Sequence, residues 1–111
     1  MAKASSEIFG KFAVVSLTEL NIEKRSSIEK DRLKDGELGI IEISESQLVC
    51  PYGKFSIKAI RADIKGAGWR LDLVEPVQIL SCAIARGKGK RMALIIDVAM
   101  EKLCYFFDVE S

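Results

Sequence analysis

The sequence predicts a mainly β fold, a small antiparallel β-barrel or orthogonal sandwich of six to eight strands. Three features of the sequence predict it. From Leu38 onward apolar residues recur with period two, as half-buried strands require. Glu45-Ser46, Pro51-Tyr52-Gly53, Gly66-Ala67-Gly68 and Gly87-Lys88-Gly89-Lys90 break the chain at short intervals, so neighbouring strands pair antiparallel. Twice the alternation changes phase inside a run, at Ala59-Ile60 and at Ile79-Leu80, which marks a bulge or bend that wraps one sheet onto itself. The chain has 111 residues, 49% of them hydrophobic, enough for one core and too few for two, so residues 1–111 read as a single β domain.

Residues 1–8 are predicted to be a flexible N-terminal tail. Residues 7–22 carry both periods: Phe9, Ala13, Leu17 and Leu20 fit a helical face, while Val14-Val15-Ser16-Leu17-Thr18 has the β-branched content of a strand. A strand from Phe12 to Ile22 is favoured. Glu23 to Asp35 is charged and alternates in sign. Ser26 with Glu29 has the form of a capping box and Asp35-Gly36 a stop, so at most one short helix is expected near 26–35.

The remaining elements follow from alternation. Ile41 and Ile43 pair with Leu48 to Cys50, then come Phe55 and Ile57. Beyond the Gly66 turn, Trp69, Leu71 and Leu73 share one face, which puts Trp69 in the core. Val77 and Ile79, then Leu80, Cys82 and Ile84, form the next strand. Met92, Leu94, Ile96 and Val98 follow, and after Met100-Glu101-Lys102 come Leu103, Tyr105, Phe107 and Val109.

Composition excludes several functions. There is no histidine, the commonest general base near neutral pH and the commonest metal ligand. The sequence contains no GxSxG, Walker A or GxGxxG motif. The cysteines, Cys50, Cys82 and Cys104, are odd in number, widely spaced and set among apolar residues, as buried thiols are. Neither catalysis, metal nor cofactor is expected. The N-terminus lacks the apolar region of a signal peptide, and no apolar run is long enough to span a membrane. A cytoplasmic protein without membrane insertion is expected.

The near-neutral total, 17 Lys+Arg against 16 Asp+Glu, conceals zoning. Residues 54–91 hold nine Lys/Arg and three Asp/Glu, a local +6 between acidic flanks. Arg61, Arg70, Arg86, Lys88, Lys90 and Arg91 are therefore the candidate anion-binding residues, for a nucleotide, a cyclic dinucleotide or nucleic acid. A second candidate comes from parity. Ile95 and Phe106 fall on the face opposite the core-directed residues of their strands, which predicts an exposed apolar patch and a contact with another protein or a second copy of this chain. A non-catalytic protein-binding or regulatory module is the favoured function, with anion binding as the alternative.

Arg25 and Arg32, followed by Gly39-Ile40-Ile41-Glu42-Ile43-Ser44-Glu45-Ser46-Gln47, are similar in layout to PilZ domains, small β-barrels that bind cyclic di-GMP. That family's pattern is Arg-x3-Arg followed by Asp-x-Ser-x-x-Gly. Here the arginines stand seven apart, Glu42 replaces the Asp and Gln47 the Gly, and the family is not assigned.

Overall fold

Period-two alternation becomes nine antiparallel strands in the computed structural model, which describes residues 7–31, 37–63, 65–74 and 79–109. They are β1 (Gly10–Asn21), β2 (Ser26–Asp31), β3 (Ile40–Ile43), β4 (Gln47–Cys50), β5 (Gly53–Ala62), β6 (Gly68–Leu73), β7 (Ile79–Arg86), β8 (Arg91–Val98) and β9 (Glu101–Asp108). Eight close into a barrel, with β1 pairing both β3 and β9, and β2 is one strand more. The described residues contain no α-helix.

Closure depends on the two longest strands serving two sheets. The first part of β1 pairs with β3 and the rest with β9. The first part of β5 pairs with β4 and the rest with β6. Register shifts fall where the strands must turn: Val14/Ser16, Ile57/Ala59 and Ile79/Ser81. An extra residue on one strand sharpens twist and bends it, which lets one sheet fold over and hide its edges. Two of the three shifts lie beside the phase changes read from the sequence.

The segment around 26–35 differs from expectation. Ser26–Asp31 is an edge strand on β1 with every residue exposed; residues 32–35 lie outside the described part. Its side chains bury nothing, so no apolar period could reveal it, and pairing with β1 decides its conformation. The barrel itself has eight strands, within the six to eight expected, and this strand is added to it. The expected tail also ends earlier: Ile8 is fully buried in the core, while residues 1–6 lie outside the described part.

The core runs down the barrel axis. Ile8, Val14, Ile41, Ile43, Leu48, Ile84, Leu94, Ile96 and Phe107 are all within 2% of complete burial, each worth roughly 1.5–3 kcal/mol of transfer free energy. Trp69 joins them, as its parity requires. Leu80 does not: it is the residue left over at the β7 bulge and stands 70% exposed. Gly68 has a steric role. A Cβ there would lie 2.1 Å from the Ile84 carbonyl oxygen, so β6 and β7 approach this closely only because glycine occupies the position.

Candidate functional site

Two features lie on the outer surface of the β5–β9 wall, and parity places both. In β8, Met92, Leu94 and Ile96 point inward, so Ala93 and Ile95 point out. In β9, Leu103, Tyr105 and Phe107 point inward, so Cys104 and Phe106 point out. Cross-strand register aligns these into two rows. Ala85, Ala93, Phe106 and Ser16 form one, and Ala83, Ile95, Cys104 and Thr18 the other. Ile95 and Phe106, both half-buried, share this outer face with six uncharged neighbours, of which Ala93 is buried.

Charges border this patch and neutralise one another along the strands. At one end Arg91 donates from Nε to Asp108 at 2.6 Å. At the other, Asp97 accepts from the Ser81 hydroxyl at 2.7 Å and faces the Lys102 ammonium at 3.8 Å. On the lateral flanks the charges are opposite and make no ion pair with any described residue. Arg70 of β6 lies beside Ala83, and Glu29 of β2 lies beside Thr18.

The six predicted anion-binding residues divide by pairing. Arg86 gives both guanidinium nitrogens to Glu7 at 2.7 Å, bonds the Gly66 carbonyl through Nε at 2.9 Å and lies 4.7 Å over the Trp69 ring. That hydrogen bonding holds the Glu7 carboxyl below the usual carboxylate range and raises Arg86. Arg91 is held by Asp108, and Arg61 by Asp72 at 3.0 Å. Arg70, Lys88 and Lys90 make no ion pair with any described residue. The turn from Arg86 to Arg91, densest in positive charge along the chain, is thus half neutralised.

Arg61 and Arg70 are direct cross-strand partners, a like-charge arrangement that is unfavourable without a counter-charge. Asp72 supplies one for Arg61. Arg70 stands between two shallow hollows. One, about 330 Å³, includes Lys58, Asp72, Leu80 and Ser81 in its lining; the other, about 480 Å³, includes Arg61, Gly68, Ala83 and Ala85. Lys58, the residue left over at the β5 bulge, lines the first hollow with Arg70.

The thiols are kept protonated. Burial, with smaller contributions from Cys50 and Asp97, pushes Cys82 up to about 12. Burial also raises Cys50 and Cys104. A thiol so shifted offers little thiolate near neutral pH. Among the described residues no group of three acidic or cysteine side chains is placed to hold a metal ion, and no helix is long and apolar enough to cross a membrane.

No family model, no curated protein and no solved structure matches this chain.

Proposed function

We propose that this protein is a non-catalytic binding module that contacts another protein through the outer face of β7, β8, β9 and β1. The observation that carries this reading is the uncharged patch of two rows around Ile95 and Phe106. Interface centres are depleted in charge and enriched in aromatic residues, with a polar rim, and this patch has that anatomy. Three thiols shifted upward, two of them buried, and the lack of histidine support a role other than catalysis.

Photo-crosslinking tests the reading. A photoreactive phenylalanine analogue at Ile95 is expected to yield discrete protein adducts, while the same group at Glu42, exposed on β3, yields none. Equal labelling from both positions, or none from either, overturns it.

A second reading, anion binding by residues 54–91, is favoured by one observation: Arg70, Lys58, Lys88 and Lys90 have no ion-pair partner among the described residues. It predicts binding of labelled single-stranded oligonucleotides or cyclic dinucleotides that weakens steeply with salt. Absence of binding at low salt removes it.

A further inference from the structure

The outer face centred on β7, β8, β9 and β1 is self-complementary across the line between β8 and β9: Phe106 lies opposite Ala93, and Arg70 on one flank answers Glu29 on the other. We propose that its occupant is a second copy of this chain, packed face to face about a two-fold axis parallel to the strands. The inference rests on the reading of this face as a protein-binding surface and specifies the partner.

The register makes the geometry explicit. Across the face the first row runs Gly68, Ala85, Ala93, Phe106, Ser16, Asp31, and the second runs Arg70, Ala83, Ile95, Cys104, Thr18, Glu29. A two-fold axis along the β8–β9 line maps each row onto itself reversed. Phe106 of one copy then faces Ala93 of the other, a large side chain against a small one. Ile95 faces Cys104, and Ala83 faces Thr18. At the flanks Arg70 meets Glu29, opposite charges that have no ion-pair partner among the described residues of their own chain. Such an isologous interface forms each of these contacts twice.

Along the strands the neighbouring charges are already paired within the chain, Arg91 with Asp108 and Asp97 with Lys102, and at the flank Asp31 falls opposite Gly68 of the other copy, so two copies meet without like charges in contact. The patch is four strands wide, about 19 Å at ~4.8 Å per strand, and two residue rows deep, so the association is weak and concentration-dependent.

Sedimentation equilibrium of the full chain, with circular dichroism to verify folding, tests this by charge exchange. The wild type is expected to be a monomer–dimer mixture. Arg70→Glu and Glu29→Arg are each expected to weaken dimerisation roughly tenfold, and the double variant Arg70→Glu/Glu29→Arg to restore it. Phe106→Glu is expected to leave a folded monomer. A wild type that stays monomeric at millimolar concentration overturns the proposal, as does a double variant no better than the singles. Crosslinks from Ile95 to a different protein would in that case leave the binding face standing while removing the second copy as its occupant.

Discussion

Arg86 and Glu7 are joined by two parallel 2.7 Å contacts across 79 residues of sequence. The pair fastens the chain's first described turn to the end of β7, over a tryptophan that belongs to the core. It also neutralises the arginine that begins the most basic turn. The fork geometry suits a carboxylate, and the same guanidinium closes the Gly66 turn.

Because both partners are substantially exposed, the ion pair itself contributes little. Glu7→Gln is expected to cost no more than about 1 kcal/mol. Arg86→Ala loses the Gly66 bond and the Trp69 contact as well and is expected to cost about 1–2 kcal/mol. Urea unfolding of both variants checks the order. The Glu7 carboxyl is lowered in the folded state, so its contribution is present at neutral pH and fades as acid takes the solution through that lowered value. Glu7→Gln flattens this part of the acid limb.

Gly68→Ala is expected to destabilise the protein by about 2–3 kcal/mol, because the added carbon meets backbone, not a movable side chain. Thermal unfolding measures this, and a loss below about 0.5 kcal/mol would show that β6 and β7 separate easily.

The β7 bulge predicts a contrast between two leucines. Leu80→Ser is expected to change stability by less than about 0.5 kcal/mol, since Leu80 is largely exposed. Leu94→Ala, from a fully buried position, is expected to cost about 2–5 kcal/mol. Comparable losses would place Leu80 in the core and contradict the register shift at Ile79/Ser81.

Alkaline pH is expected to weaken the fold. Burial raises Cys82 from 9.0 to about 12 and Tyr105 from 10.0 to about 12. Both folded values lie above the unfolded ones, so the stability they carry is complete below pH 9. It is lost as pH rises from there toward 12, because the unfolded chain ionises first. Urea midpoints measured under reducing conditions fall across this window, and less so in Cys82→Ala. A flat profile would contradict the burial of both groups.

What the sequence made legible was what alternation encodes. The inward faces of β6, β8 and β9 and the burial of Trp69 follow from parity, as does the placing of Ile95 and Phe106 on one outer face. β2 was not legible, because none of its side chains is buried and an edge strand of serines and charges has no period to read. Leu80 was assigned inward since a bulge displaces side chains by one residue and only the partner strand's register locates it. The cluster from Arg86 to Arg91 looked free because Glu7 is distant in sequence and Asp108 lies on another strand. Its neutralisation shifts attention to Arg70 and Lys58, which line the same hollow.

The central claim is that the outer face of β7, β8, β9 and β1 is a protein-binding surface occupied by a second copy. A dilution series followed by two-dimensional amide NMR tests it most directly. The account predicts concentration-dependent shifts at Ala83, Ala93, Ile95, Cys104 and Phe106, with little change at Glu42 and Val49 on the β3–β4 wall. Spectra that do not change up to millimolar concentration, or changes centred on that opposite wall, would contradict it.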